Sequence, residues 1–100
     1  MVRPKKNRIV ALNPDVLYFR PKVNGGGEPD EVIITVDEWE SIRLSDLQGL
    51  SYEDAGKHMG ISRATFGRII QSARKTLADA LVNGKSIKVE GGNYALAEEA

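Results

Sequence analysis

The sequence predicts a mainly α protein: a three-helix helix-turn-helix domain with short flanking β-strands at the N- and C-terminal ends. Three observations support this fold class. Three segments combine helical spacing of apolar residues with a Ser or Thr in front of them. The second and third segments are separated only by a short turn around residues 60–62. Short stretches rich in β-branched residues lie on both sides of the helical region.

The N-terminal third is predicted to be an arm followed by short strands. Residues 1–8 are polar and basic, which is typical of a flexible arm. Three consecutive glycines at 25–27 indicate a mobile loop. Content of β-branched and aromatic residues predicts strands at 8–12, 16–19 and 31–35.

Caps and apolar spacing predict helices over about 36–47, 52–59 and 63–82. Thr35, with Glu38 three residues later, forms a capping box for the first helix. Ser51 caps the second helix and Ser62 caps the third. Gly84 ends the third helix.

The region after the third helix is predicted to be a strand and then a tail. Residues 86–90 alternate in polarity as a strand would. Gly91 and Gly92 break that pattern, and we expect residues 91–100 to form a flexible tail. The whole chain, 1–100, is thus interpreted as one domain with its helix-turn-helix at about 51–82.

Composition and length fit one globular domain. The chain has 100 residues, of which 41% are hydrophobic, which suffices for one core. It has no cysteine and one histidine, so disulfides and thiolate metal sites are excluded, and no cofactor or metal site is expected. The sequence lacks an apolar run of membrane-spanning length and an apolar signal stretch. We expect a cytoplasmic protein without a membrane partner.

Charge is distributed in stripes although the formal net charge is zero. Residues 1–22 carry six basic side chains against one acid, and residues 57–88 carry seven against one. Residues 23–56 carry nine acids against one base, and residues 89–100 add three acids. Such asymmetry bears on partners rather than on fold, and it allows the two basic segments to share one face.

The turn between the second and third helices is the most specific structural signal. Two crossing helices joined by a three- or four-residue turn need a small residue where their backbones approach, and Gly56 is expected there. Gly60 is expected to adopt the left-handed conformation that ends the second helix. Ile61 would fill the core beneath the turn, while Phe66 and Ile69 anchor the third helix.

The third helix combines an apolar stripe with an outward face that carries no acid. The residues at the offsets of one buried stripe are Phe66, Ile69, Ile70, Ala73, Leu77, Ala80 and Leu81. Those opposite are Ala64, Arg68, Gln71 and Lys75, flanked by Thr65 and Ser72 on one side and Gly67 and Arg74 on the other. No carboxylate occurs between residues 55 and 78, whereas an ordinary solvated helix mixes both signs.

Residues 49–81 read GLSYEDAGKHMGISRATFGRIIQSARKTLADAL. This stretch resembles the helix-turn-helix of the DUF134 (UPF0251) family of predicted DNA-binding proteins, a region similar to region 4 of sigma factors. The likeness continues in VRPKKNRIV, LYFRP, VDEWESIRLSDLQGL and NGKSIKVEGG, and covers about residues 2–92. It implies a bacterial or archaeal cytoplasmic protein. Members often have a cysteine near the N-terminal basic segment, where this chain has Ala11, so no thiol or metal role is implied.

These features predict a prokaryotic transcriptional regulator that binds double-stranded DNA with sequence specificity. The third helix would lie in the major groove with its first turns against base edges. Arg63 and Arg68 would reach guanine or phosphates, and Gln71 would pair with adenine. Ala64 and Thr65 would meet a thymine methyl group.

The remaining candidate residues are expected at the DNA backbone. Ser51 and Ser62 head helices whose free N–H groups point at phosphates. Gly67 fits either helix packing or close approach to DNA. Phosphate contact or simple solvation is expected for Lys57, Arg74 and Lys75. The arm would enter the minor groove or follow the backbone, or merely confer solubility, through Arg3, Lys5, Lys6 and Arg8.

A homodimer is expected, because one such module covers only roughly 600–1,000 Å² of protein surface. The candidates for the dimer surface are the terminal strands together with Trp39, Leu77 and Leu81, each of these three residues with ordinary core packing as the alternative. The alternative function is a protein-protein interaction adaptor on a helix-turn-helix scaffold, using the acidic segment 23–56. RNA binding is a third option, although the aromatic stacking motifs of common RNA modules are missing.

An enzyme is not expected. The helix dipole favours acids at helix starts, and this accounts for Asp37, Glu38, Glu40, Glu53 and Asp54. The segment GGGEPD lacks the spacing and the lysine of a phosphate-binding loop.

Overall fold

The computed structural model describes residues 7–11, 17–22, 25 and 27–97. These ranges contain the helices α1 (Val36–Ile42), α2 (Tyr52–Met59) and α3 (Arg63–Asn83), and the strands β1 (Arg8–Val10), β2 (Leu17–Phe19), β3 (Glu31–Ile34), β4 (Ser86–Val89) and β5 (Tyr94–Leu96). The predicted mainly α class with short terminal strands is confirmed. No helix in these ranges is both long enough and apolar enough to cross a membrane.

The strands form two small sheets. In the first, β4 lies between β2 and β3, antiparallel to β2 and parallel to β3. In the second, β1 pairs in parallel with β5. Both sheets join a strand that precedes the helices to one that follows them, so the two ends of the described chain are held together.

The flexible tail expected over 91–100 is wrong for residues 94–96, which form β5. The register places Tyr94 opposite Arg8 on β1, and the Ala97 N–H donates to the Val10 carbonyl at 2.9 Å. The glycine pair therefore turns the chain rather than ending its structure. A three-residue strand whose partner lies at the other end of the sequence leaves no local periodicity to detect.

Two apolar clusters fill the molecule. The helical core joins α2 and α3 to the segment that follows α1, and consists of Leu44, Ala55, Met59, Phe66 and Ile70. The strand core consists of Val10, Ile34, Val36 and Val89, with Trp39 and Leu77 packed against it. Because α3 contributes side chains to both clusters, it connects the helical and strand parts.

The apolar stripe predicted on α3 is correct except at its last position. Phe66, Ile70, Ala73 and Ala80 are buried, and Ile69 and Leu77 are half-buried. Leu81 is instead 79% exposed. It lies at the edge of the stripe in the last turns of α3, where it lines a shallow cleft with Phe19 and Ile87.

The first predicted helix, about 36–47, is divided. It begins with the expected capping box, in which the Glu38 N–H donates to Thr35 Oγ1 and the Thr35 N–H donates to Glu38 Oε1 at 2.9 Å. After α1 the chain widens into a π-helical segment, Arg43–Leu47, where the Gln48 N–H donates to the Arg43 carbonyl.

Glu40 is an acid that the helix dipole does not explain, because it is buried in the middle of α1. Its Oε2 accepts from the Ala11 N–H at 2.8 Å and from Arg43 Nη2 at 3.0 Å. The hydrogen bond to Glu40 raises the pKa of Arg43. The carboxylate therefore ties the end of β1 to α1.

Candidate nucleic-acid interface

A three-residue turn, 60–62, separates α2 from α3. Gly60 ends α2 with a φ of +69°, in the left-handed region that favours glycine. The Ile61 N–H donates to the Gly56 carbonyl at 2.9 Å, and the Ile61 side chain packs against the helical core. The structure thus confirms the conformations predicted for Gly60 and Ile61.

Gly56 lies where the turn passes over α2. A Cβ at this position would lie 2.9 Å from the Ile61 carbonyl oxygen and 3.3 Å from that of Ser62. Backbone atoms cannot rotate aside as a flexible side chain can, so a methyl group would displace the turn. The small residue predicted at the approach of the two helices is therefore confirmed.

Replacing Gly56 with alanine is expected to lower the free energy of unfolding by about 1–3 kcal/mol, the usual cost of overpacking. Helix propensity alone would favour alanine, so a loss of stability is diagnostic of the crowded turn. Urea denaturation followed by circular dichroism measures the change. Gly67→Ala is the matched control, because a Cβ there would lie 3.7 Å from the Tyr52 ring, an ordinary contact. Equal stabilities of the two variants would contradict the prediction.

A row of hydrogen bonds lies at the N-terminus of α3. Ser62 Oγ accepts from the Thr65 N–H at 3.1 Å and donates to Thr65 Oγ1 at 3.0 Å. Arg68 Nη2 donates to the same Thr65 oxygen at 3.2 Å. The row fixes the start of the helix and holds the Arg68 guanidinium on its outside, away from both cores.

The other predicted residues of α3 lie on the same side of the helix. We define the α3 outer surface by its exposed members Arg63, Ala64, Arg68, Gln71 and Lys75. Thr65 and Gly67 flank it and are half-buried. Arg63, Arg68 and Lys75 form no ion pair with another described residue. The surface therefore carries three cations whose charge is not neutralised by these residues.

Gly67 is not required by packing within the chain. The ordinary contact that a Cβ would make with Tyr52 leaves room for a methyl group. The structure therefore gives no support to packing between helices as the reason for a glycine inside α3. Close approach to DNA, the other explanation, stays a prediction.

Arg74 has a different role from its neighbours. Its Nη2 pairs with Asp46 at 2.6 Å and its Nη1 donates to the Tyr52 hydroxyl at 2.9 Å. The hydrogen bond to Asp46 is the main reason that the pKa of Arg74 is raised. Arg74 is therefore engaged in joining α3 to α2 and to the π-helical segment. Lys57 lies 3.9 Å from Glu53, one turn before it on α2.

The arm expected at 1–8 is described only at its end. Arg3, Lys5 and Lys6 lie outside the described residues. The Arg8 N–H donates to the Asn93 carbonyl at 3.1 Å, so Arg8 belongs to β1 rather than to a flexible arm. Its side chain lines a cleft together with Arg68, which brings it beside the α3 outer surface.

Acidic residues of α1 border this surface, which the sequence did not indicate. Ser72 Oγ donates to Glu38 Oε2 at 2.7 Å, and Asp37 lines the same cleft as Arg8 and Arg68. The capping role of Glu38 was detectable from local spacing. Its contact with α3 was not, because that contact depends on how α1 packs against α3.

Comparison with known proteins gives a family match over nearly the whole chain. Residues 1–97 match the family model described as "Protein of unknown function DUF134". A UPF0251 protein of Desulfosudis oleivorans is 58% identical over 98 residues, which cover 94% of this chain and 68% of the relative. A UPF0251 protein of Thermoanaerobacter sp. strain X514 is 54% identical over 99 residues, covering 99% and 88%. No solved structure gives a significant match.

Proposed function

This chain belongs to the DUF134 family, whose curated relatives are named UPF0251 proteins, and we propose that it binds double-stranded DNA as a sequence-specific transcriptional regulator. The observation that carries the proposal is the α3 outer surface. It presents Arg63, Arg68 and Lys75 without ion-pair partners among the described residues, on a helix that follows a short glycine-ended turn. The likeness to region 4 of sigma factors supports the same interpretation.

In the proposed complex, α3 lies in the major groove, which is wide enough to admit an α-helix. Its first turns contact the bases, with Arg63 and Arg68 on guanine and Gln71 on adenine. Ala64 and Thr65 contact a thymine methyl group. Gly67 allows the helix backbone to approach the duplex closely.

Phosphate contacts are proposed at the starts of α2 and α3. Ser51, Tyr52, Glu53 and Arg63 line an open cleft of about 550 Å³ at the start of α2. A DNA phosphate in this cleft would meet the free N–H groups of the first turn of α2. Ser62 offers the same arrangement at α3. Lys75 and the basic residues Arg3, Lys5, Lys6 and Arg8 would follow the DNA backbone.

The proposal includes a homodimer, since helix-turn-helix proteins usually bind two half-sites about one DNA turn apart. Trp39 and Leu77, two of the expected dimer residues, pack against the strand core. Leu81 is instead exposed, close to Phe19, which is 55% exposed. This apolar patch, Phe19 and Leu81, is the surface we propose for the second copy.

A salt titration of duplex binding tests the proposal. The five basic side chains proposed to follow the DNA backbone, each neutralising one phosphate, predict a slope of log affinity against log salt of about −4.5. Fluorescence anisotropy with a duplex selected from a randomised library measures this slope, and native mass spectrometry gives the number of protomers bound. Lys75→Ala should make the slope shallower by about 1.

Lys88→Ala is the control for that variant. Lys88 lies on β4 and already pairs with Glu90 at 3.4 Å, so its removal should leave the slope unchanged. Failure to bind any duplex at low salt, or an affinity independent of salt, would contradict DNA binding and favour the protein-interaction alternative.

A further inference from the structure

A polar cleft of about 410 Å³ opens between β1, the start of α1 and the first turns of α3. It is lined by Arg8, Thr35, Asp37, Glu38, Thr65, Arg68, Ile69 and Ser72. Small-molecule sites in proteins have volumes of about 300–1,000 Å³, so this cleft has room for such a ligand. Four charged side chains line the cleft. Two are basic, Arg8 on β1 and Arg68 on α3, and two are acidic, Asp37 and Glu38 on α1.

Most polar groups of this cleft already have partners. Glu38 accepts from the Thr35 N–H and hydroxyl through Oε1, each at 2.9 Å, and from Ser72 through Oε2 at 2.7 Å. Thr65 Oγ1 accepts from Arg68 at 3.2 Å. These contacts build a fixed wall and leave little capacity in Glu38 and Thr65 for a ligand.

Asp37 and Arg8 lack such partners among the described residues. Asp37 is only 8% exposed, yet its Oδ1 has no hydrogen-bond donor, and the buried Nε of Arg8 has no acceptor. They carry opposite charges in one cleft, but neither forms an ion pair within the described part of the chain. Buried polar atoms are normally satisfied. Because these two atoms have almost no exposed surface, a ligand in the cleft would reach the other carboxylate oxygen of Asp37 and the terminal nitrogens of Arg8 rather than the two atoms themselves.

The backbone is shaped to admit the Asp37 carboxylate. Gly92 has a φ of +97°, and a Cβ at this position would collide with Asp37 Oδ1 and approach Thr35 Cβ to 2.9 Å. Glycine therefore gives the acid its space beneath the turn before β5. The acid is held in place by packing, without a hydrogen bond from the protein to Oδ1.

We propose that this cleft binds a small zwitterion of the free α-amino acid class. The ammonium group of the ligand donates to Asp37, and its carboxylate accepts from Arg8 and Arg68. A ligand that carries both charges can pair with the acidic side chain on α1 and with the two arginines at the same time. A polyanion would be repelled by Asp37 and Glu38, and a simple cation would be repelled by the two arginines.

Binding here has a consequence for the α3 outer surface, and only this consequence rests on the proposed function. Arg68 belongs both to the cleft and to that surface. A carboxylate held by Arg68 would withdraw this side chain from a DNA base. The ligand would thus act as an effector that lowers DNA affinity within a single domain.

The test begins without DNA. The twenty L-amino acids are screened one at a time by thermal denaturation of the full chain, and calorimetry gives the dissociation constant of each hit. At an amino-acid concentration of about five times the dissociation constant, the midpoint of thermal denaturation should rise by about 4–8 °C. The N-acetyl and the amide derivatives of the hit each lack one charge and should bind at least about tenfold more weakly. Absence of any hit, or equal binding of the derivatives, would overturn the proposal.

Matched variants locate the site. Asp37→Asn and Arg8→Gln should each weaken binding of the amino acid at least about tenfold. Asp54→Asn is the control, because Asp54 is also an acid in the first turn of a helix but lies outside the cleft. Unchanged affinity in both cleft variants would overturn the assignment. If Asp37→Asn does not fold, Arg8→Gln and Arg68→Gln decide the question by the same criterion.

The DNA proposal is separable from this one. A chain that binds the amino acid but no duplex would support the cleft and contradict only the proposed function. A chain that binds both should show weaker duplex binding when the amino acid is present, and the Asp37→Asn variant should lose that dependence.

Discussion

Replacing Phe66 with alanine is expected to lower the free energy of unfolding by about 3–5 kcal/mol. Phe66 is 0% exposed and is the largest fully buried side chain among the described residues. Its ring centre lies 5.3 Å from that of Tyr52, so truncation removes an aromatic contact and leaves a cavity. The total free energy of unfolding of a folded domain is only about 5–15 kcal/mol, so this variant would lose a large share of its stability.

Urea denaturation followed by circular dichroism measures this loss, and Val82→Ala is the control. Val82 is an apolar residue on the same helix, but it is 82% exposed and lies outside the proposed dimer patch, so its truncation should change stability by less than about 0.5 kcal/mol. The pair compares a buried and an exposed apolar position of one helix. Similar losses for both variants would show that Phe66 does not anchor α3 in the helical core.

The helix boundaries were predictable because the chemistry that sets them is local. Ser51 and Ser62 each accept an N–H from a residue three positions later, and Gly60 ends α2 by its own conformation. These signals lie within one turn of the boundary they define. The bounds of α2 and α3 therefore follow closely from the sequence.

The strand pairing was not predictable in the same way. The strands are three or four residues long, and β1 and β5 lie near opposite ends of the described chain. Periodicity over three residues cannot distinguish a paired strand from a loop. The exposure of Leu81 has a similar origin, because a helical stripe does not reveal where the covering layer ends.

The candidate site was predictable along α3 but not around it. Helical periodicity placed Arg68, Gln71 and Lys75 outside the core. The contacts between Arg74 and Asp46 and between Ser72 and Glu38 join residues 28 and 34 positions apart. Such contacts depend on tertiary packing. These contacts decide which basic side chains remain without an ion-pair partner. Counting charges along the sequence cannot predict them.

Removing both Arg63 and Arg68 is expected to have the largest effect on DNA binding. If each arginine reads a base, each substitution by alanine costs about 1–3 kcal/mol. The two side chains share no hydrogen-bond or ion-pair partner among the described residues, so the costs should nearly add, to about 2–6 kcal/mol. That range corresponds to roughly 30-fold to 20,000-fold weaker binding of the selected duplex.

Fluorescence anisotropy at constant salt, on the selected duplex and on a scrambled one, separates base reading from phosphate contact. Base reading predicts a larger loss on the selected duplex, whereas phosphate contact predicts equal losses on both. Lys88→Ala is again the control, because Lys88 lies on β4 and pairs with Glu90 at 3.4 Å. Wild-type affinity in the double variant, with an unchanged circular dichroism spectrum, would rule out the α3 outer surface as the DNA-binding site. Equal losses on the two duplexes would assign both arginines to phosphates and leave base reading to Gln71, Ala64 and Thr65.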